Sequence, residues 1–323
     1  EQNIMSFLVP YLNKLEQLGN KIRVPLAKHI GLADLLKQVW KEASEDHLGD
    51  FAASLTYHGI FAIFPFLTFL ISMLGIFDKV LGVFDTSQLI KDFLSRPQVR
   101  QAIPVEVIDF VQQQIDRLIG NIRPGTFTTG AIVSILLALW GVSGAFRSIM
   151  ESLNVVYEIK DSRPIWKKYL ISIMLSVIAV LLLLSAGILA VFGPKIADWL
   201  ARTTGLGTLF AWSWKIAQWP LLILIALLAF ALIYHYGPDI KQPLRLVTPG
   251  SILALLGWLV FTLIFSLYVN NFGNYNKTYG TLAGAILLML YMYYSSYILL
   301  MGGEVNHVVE TYSNTSEEVK QSV

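Results

Sequence analysis

Apolar residues along the chain are gathered into six long blocks separated by shorter polar stretches. Leucine, isoleucine, valine, phenylalanine and alanine fill these blocks, which lie at residues 51–77, 127–150, 168–193, 217–236, 248–269 and 281–304. A helix of about 20 residues crosses the hydrocarbon of a bilayer, whereas a soluble core spreads its apolar residues at amphipathic spacing. The pattern predicts an all-α integral membrane bundle of six transmembrane helices.

Two other regions show the three-to-four spacing of amphipathic helices. One is the N-terminal segment 1–48, at residues 8–18 and 32–43, which we interpret as cytoplasmic surface helices. The other is the long loop 78–125, where an apolar stripe runs from Pro104 to Gly120. That stripe either packs on the bundle or the membrane interface, or serves as a substrate lid or a docking surface. The predicted domains are therefore 1–48, a transmembrane domain at 49–309, and a polar cytoplasmic tail at 310–323.

Basic residues predict the orientation of the bundle. The segment before the first span and the loops after the second and fourth spans carry more Lys and Arg than the short loops on the other side. Lys and Arg in short loops resist translocation, so both termini are expected in the cytoplasm. The protein is then a multi-pass protein of the cytoplasmic (inner) membrane.

Composition narrows the classes of function. The chain is 55% hydrophobic and 14% charged, with a net charge of +2, which gives no sign of a nucleic-acid partner. It contains no cysteine, and its five histidines lie in separate segments without HExxH, so no metal site is expected. GxxxxGK[ST], GxGxxG and GxSxG motifs in suitable contexts are missing too. We expect no cofactor and no enzymatic activity.

Polar residues recur at the predicted cytoplasmic ends of the spans. Arg147 falls near the inner surface at the end of the second span, with Glu151 and Asn154 following at successive turns of one helix face. The last span brings Glu304 to the same depth, and the first begins there with Asp46. Arg147 either snorkels and pairs locally with Glu151, or meets Glu304 across helices as a lock or a switch.

The first span carries polar groups at greater depth. Tyr57 and His58 lie about 10–12 Å into the predicted bilayer, and Pro65 lies nearer its middle. A neutral His58 bonded to a neighbouring helix and a proton or substrate role are both open. Pro65 frees a carbonyl and favours a kink.

The outer ends of the last two spans form a polar, aromatic turn. Tyr275, Asn276 and Tyr279 lie there, where such residues either cap helices at headgroup level or line a path. Gly280 and Gly284 form a GxxxG pair that predicts close helix packing, within the bundle or in a homodimer.

Three stretches in this order resemble the YihY/BrkB inner-membrane proteins, once labelled ribonuclease BN. They are AASLTYHGIFAIFPFL at 52–67, WGVSGAFRSIMESLNVVYEIKDSRPIWKK at 140–168, and the run from VTPGS to GGEVN at 247–306. The resemblance covers residues 40–309 and implies a six-helix protein of the cytoplasmic membrane. It places these residues on family-motif positions: Pro65, Arg147, Asn154, Tyr275, Asn276, Tyr279, Gly280 and Glu304. It brings no settled activity, and the ribonuclease label conflicts with the absence of a clustered metal site.

Transport is the function that the sequence favours, in the form of moving or scrambling a lipid or amphiphile. Arg147 would attract a phosphate, Glu304 would hold or release it, and the outer turn would receive headgroups. The substrate-path candidates are Tyr57, His58, Pro65, Arg147, Glu151, Asn154, Tyr275, Asn276, Tyr279 and Glu304. The alternative is a membrane scaffold that docks partner proteins through loop 78–125. Membrane lipids are the expected partners in the first case.

Overall fold

Seven helices can be followed through the described part of the chain. The computed structural model describes residues 23–24, 27–63, 95, 108, 112–113, 129–203, 207–271 and 276–321. The helices are α1 (Leu32–Glu45), α2 (48–63), α3 (Thr129–Val156), α4 (Ile165–Thr203), α5 (Gly207–Tyr236), α6 (Pro249–Asn271) and α7 (Asn276–Gln321). The predicted helical class is confirmed. One feature was not predicted: an antiparallel pair of strands, β1 (Arg23–Val24) and β2 (Ala27–Gly31), precedes α1.

Four of these helices are long and apolar enough to cross a membrane. The apolar windows among the described residues are Ile165–Gly187, Trp212–Tyr236, Pro249–Val269 and Gly284–Tyr312. At most 22% of any window is buried within the protein, so most of this apolar surface is left for lipid. The described residues thus confirm a multi-pass membrane protein. Residues 64–77 of the first predicted span lie outside them, and α3, which contains most of the second predicted span, is not among the four windows. A total of six spans stays a prediction.

Helix α1 lies across the end of α7. Its buried residues Leu35, Val39 and Ala43 recur at three-to-four spacing, as the amphipathic pattern predicted. Leu35 and Val39 pack with Val305 and Val308 of α7 in a small apolar cluster. The cytoplasmic helix predicted at 32–43 is confirmed as a helix, and it is fixed on the last helix of the bundle.

Two tight chain reversals lie near the same end of α7. His47, between α1 and α2, and Glu158, after α3, both have φ of 53°, an uncommon conformation for residues other than glycine. These turns bring the carboxyl groups of Asp46 and Glu158 towards Glu304 of α7.

Glycines allow α6 and α7 to meet at close range. A side-chain carbon at Gly250 would overlap the carbonyl oxygen of Gly302, and one at Gly303 would overlap Leu153 of α3. Close helix packing therefore occurs at this end of α7. The packing role predicted for Gly280 and Gly284 stays a prediction, because the surroundings of Gly280 lie outside the described part of the structure.

Candidate functional site

Arg147 lies on the face of α3 that meets α4. Its guanidinium carbon is 4.3 Å from the ring centre of Tyr169 and 5.9 Å from that of Trp140, and it donates a hydrogen bond to Ser143. Trp140 is 66% exposed and Tyr169 is 37% exposed. The cation therefore lies between two aromatic rings that open onto the outer surface of the bundle.

The side chains of His58 (α2) and Arg147 (α3) both lie next to Gly144. A side-chain carbon at Gly144 would lie 3.4 Å from His58 Nδ1 and 3.6 Å from Arg147 Nη2, so both side chains cover this position. Tyr57, the preceding residue, is 61% exposed on the outer surface. Two groups that the sequence placed on different spans thus share one location. We call it the Arg147 site, and it comprises His58, Trp140, Ser143, Gly144, Arg147 and Tyr169.

No carboxylate neutralises Arg147 within the described residues. Glu151, one turn further along α3, is exposed and forms no ion pair with it. The hypothesis of a contact between Arg147 and Glu304 is also wrong for the described structure. The reason is geometric: α3 turns its Leu153 face towards Gly303 of α7 and its Arg147 face towards α4.

Glu304 has a different environment. Its side chain is fully buried, and neither carboxylate oxygen has a hydrogen-bond partner of good geometry. The Asp46 carboxyl approaches it within hydrogen-bonding reach, and Glu42 and Glu158 also face it. Burial raises the pKa of Asp46, and Glu158 and Glu42 raise it further, against the opposing effect of the Glu304 contact. Glu304 is thus surrounded by acidic groups.

Asn154 belongs to a joint between two loops, which we call the Arg163 joint. Its side-chain oxygen accepts a 2.8 Å hydrogen bond from the backbone N–H of Asp239. Arg163, 7% exposed, donates to Asp161 at 3.0 Å and lies 3.7 Å from Asp239. Two more bonds run from Arg163 to the carbonyls of Tyr236 and Gly237, at the end of α5. The joint ties the α3–α4 loop to the α5–α6 loop.

The carboxyl groups of the joint are held in their charged form. Burial alone would raise the pKa of Asp161, but hydrogen bonds from Arg163 and Lys168 bring it below the usual value. A hydrogen bond from Ser162 is the main cause that lowers the pKa of Asp239. Sequence reasoning used Arg163 and Lys168 only to predict orientation and missed the joint. The spacing Asp161-Ser162-Arg163 was the available signal, since an Asx turn is typical of it.

The remaining predicted path residues are less fully placed. Pro65 and Tyr275 lie outside the described residues. Asn276 begins α7, and Tyr279 follows in its first turn, but the structure does not describe their side chains. Within the described ranges, no three His, Asp or Glu side chains are grouped closely enough to hold a metal ion.

Comparison with known proteins places the chain in a family. The family model described as Virulence factor BrkB matches residues 39–322. The chain belongs to the BrkB family. The match includes all three stretches that carried the resemblance, so that prediction is confirmed.

Individual relatives carry different descriptions, ribonuclease-like protein for one and membrane protein for others. The ribonuclease-like protein YfkH of Bacillus subtilis (strain 168) is 30% identical over 271 residues, which cover 83% of this chain and 92% of YfkH. A UPF0761 membrane protein of Xanthomonas axonopodis pv. citri (strain 306) is 26% identical over 309 residues, covering 96% of this chain and 68% of the relative. No solved structure matches the chain.

Proposed function

We propose that this BrkB-family protein moves an anionic amphiphile, such as a phospholipid, between the two leaflets of a membrane. The observation that carries the proposal is Arg147, a cation with no carboxylate partner in the described part of the chain, placed between exposed Trp140 and Tyr169. The proposal includes six spans, both termini in the cytoplasm and location in the cytoplasmic membrane. It includes no enzymatic step and no nucleic-acid partner.

The chemistry of the Arg147 site suits a phosphate group. Arginines in membrane spans are rare and costly, and proteins retain such a group where it has a partner or a function. A guanidinium presents paired N–H donors that match phosphate oxygens, and tryptophan and tyrosine are typical of the headgroup level. A lipid phosphate would supply the anion that the described residues do not.

The neighbouring surface suits acyl chains. Ile165, Leu170 and Ile173 of α4 are 74%, 59% and 41% exposed, close along the helix to Tyr169. A headgroup at Arg147 would therefore have apolar surface beside it for its tails.

The position of Glu304 changes the mechanism that the sequence suggested. Glu304 is fully buried among acidic neighbours and lies away from Arg147, so it does not receive the phosphate in the proposed path. In the proposed path the receiving groups are Tyr275, Asn276 and Tyr279, which the sequence predicts at the opposite membrane face.

A flux measurement with matched variants tests the proposal. Purified protein is reconstituted in liposomes that hold a headgroup-labelled anionic lipid, and passage between leaflets is followed for the wild type, Arg147→Ala and Arg147→Lys. Lys160→Ala is the control, because Lys160 is an exposed cation in the loop that follows the same helix. We expect passage in the wild type and the control, loss in Arg147→Ala, and partial passage in Arg147→Lys, which keeps the charge but not the paired donors. A folded wild type with no passage above empty liposomes would contradict the proposal.

Scaffolding stays a prediction of the sequence. Loop 78–125 lies outside the described residues except for positions 95, 108, 112 and 113, and Ile108 is buried. The ribonuclease-like name of YfkH describes that relative.

A further inference from the structure

Glu304 is a buried ionisable group that has no role in the proposed lipid path. Its side chain is 0% exposed, and both carboxylate oxygens are without a hydrogen-bond partner. An ionised carboxylate can only accept hydrogen bonds, and a buried one without donors is destabilised by several kcal/mol. The observed surroundings of Glu304 therefore do not suit the ionised form.

The ionisable groups that face Glu304 also disfavour its ionised form. They come from the α1–α2 corner, the turn after α3, and α7 itself. Carboxyl groups predominate among them, and His307 is a neighbour that acts in the opposite direction, because it lowers the pKa of Asp46. The ionisable neighbours of Glu304 and Asp46 in the described structure are Glu42, Tyr157, Glu158, Tyr297 and His307.

Asp46 is the neighbour whose contact with Glu304 requires a proton. It lies at the end of α1, and its carboxyl is within hydrogen-bonding reach of the Glu304 carboxyl. Two ionised carboxylates cannot form a hydrogen bond with each other, since neither has a donor. A proton on one of them supplies the donor and removes the repulsion of two like charges, as in other paired carboxyl sites.

We propose that Glu304 and Asp46 form a proton-binding pair in which one proton is held between the two carboxyl groups and links α1 to α7. The ligand is a proton from water. The same proton satisfies an otherwise unpartnered Glu304 oxygen and allows Asp46 to approach it. Since the described residues offer no grouping of three ligands for a metal ion, a proton fits this pair better than a bound cation.

A cavity lies beside Tyr157, one of the groups that face Glu304, although neither Glu304 nor Asp46 lines it. It has a volume of about 140 Å³, and its lining includes Tyr157, Asn306 and Glu310. Asn306 lies beside the Tyr157 hydroxyl, and the His307 ring packs 5.5 Å from the Tyr157 ring. Tyr157 itself stays neutral, because burial raises the pKa of its phenol. The pair is thus close to a polar opening while Glu304 remains covered.

Loss of the proton changes the contact between α1 and α7. Two adjacent carboxylates would then face each other, with Glu42 and Glu158 adding to the repulsion. For Asp46, whose pKa is raised by burial, the stabilisation is present in full below the ordinary value of 3.8 and is lost as pH rises through the raised value. Docking of α1 on α7 should therefore weaken as pH rises through the raised pKa of Asp46.

Infrared difference spectroscopy on the full chain in liposomes measures this proton directly. We expect the wild type at pH 7 to show the C=O stretch of a protonated carboxyl, well above the ordinary glutamic acid pKa of about 4.3. The band should be lost in Glu304→Gln and kept in Glu151→Gln, the exposed control. No such band in the folded wild type, or an unchanged band in folded Glu304→Gln, would overturn the proposal.

A second variant keeps the test decisive if Glu304→Gln does not fold. Asp46→Asn puts an amide donor beside Glu304 and removes the neighbouring charge, so both changes favour ionised Glu304. The band should then disappear at a lower pH than in the wild type, and an unshifted titration would count against the pair. The measurement needs no lipid passage, so its result is separate from that of the flux assay.

Discussion

Arg147 and Arg163 carry the same charge in contrasting settings. Arg163 is 7% exposed, and its donors are taken up by Asp161, by the nearby Asp239 and by two backbone carbonyls. Arg147 donates to one serine hydroxyl and otherwise meets the faces of two exposed aromatic rings. Arg163 has its counter-charges within the protein, whereas the described residues offer no carboxylate partner to Arg147.

The contrast teaches how a charge at a membrane surface can be assigned a role. Neutralisation by fixed groups indicates a structural joint, because removing the cation would strand its buried partners. A cation without such groups stabilises little in the protein and remains available to a ligand. Replacing Arg163 should therefore lower the stability of the fold, whereas replacing Arg147 should lower lipid passage.

The largest expected effect is on stability when Arg163 is removed. Arg163→Ala takes a donor from Asp161 and from two backbone carbonyls and removes the cation next to Asp239, which should destabilise the fold by about 3–5 kcal/mol. Thermal unfolding in detergent checks this value, with Arg147→Ala as the matched control at no more than about 1 kcal/mol. Equal losses of stability in the two variants would contradict the structural role of Arg163 and the lack of one for Arg147.

Acid should loosen the Arg163 joint. The pKa values of Asp161 and Asp239 are lowered in the folded protein by their hydrogen bonds and by Arg163. Their stabilisation is present above the ordinary value of 3.8 and is lost as pH falls below it towards the lowered values. Unfolding temperatures measured down this range should fall more in the wild type than in Asp239→Asn, which has no charge there to lose. Identical acid profiles would count against the joint.

A smaller loss of stability is expected for Asn154, the uncharged side chain of the Arg163 joint. Asn154→Ala leaves the N–H of Asp239 without its 2.8 Å acceptor, a loss of about 1–3 kcal/mol. Asn154→Asp keeps the acceptor and should retain more stability in the same unfolding assay. If Asn154→Asp were destabilised and Asn154→Ala were not, the role of Asn154 as an acceptor for the Asp239 N–H would be wrong.

The smallest effect is expected at the ring beneath Arg147. Tyr169→Leu removes the closer cation–π contact, worth about 0.5–1 kcal/mol at an exposed site, and keeps an apolar side chain. Unfolding should change little, while lipid passage falls modestly because the guanidinium is less well held. A passage rate as low as that of Arg147→Ala would mean that the tyrosine has a larger part than a positioning ring.

The sequence predicted the features that depend on local pattern. Apolar block length predicted the four helices that are long and apolar enough to cross a membrane, and three-to-four spacing predicted α1. The polar residues near one end of the bundle were also found from depth along each span. These predictions succeed because helix geometry fixes position along the axis.

The sequence could not predict which polar residues touch. Arg147 was paired with Glu304 because both fell at one depth, but contact depends on rotation about the helix axis and on crossing geometry. In the structure, glycines at positions 250, 302 and 303 set that geometry. The left-handed His47 turn, which no local pattern indicated, lies between Asp46 and α2 at the corner that faces Glu304.

The most direct test of the account is the rate at which a headgroup-labelled anionic lipid crosses liposomes containing wild type or Arg147→Ala, with unfolding temperatures measured on the same preparations. We predict that the variant loses most of the passage while its unfolding temperature stays close to that of the wild type. Equal rates would contradict a role for Arg147 in the path. A loss of passage that only accompanies a loss of stability would place Arg147 with Arg163, as a structural residue.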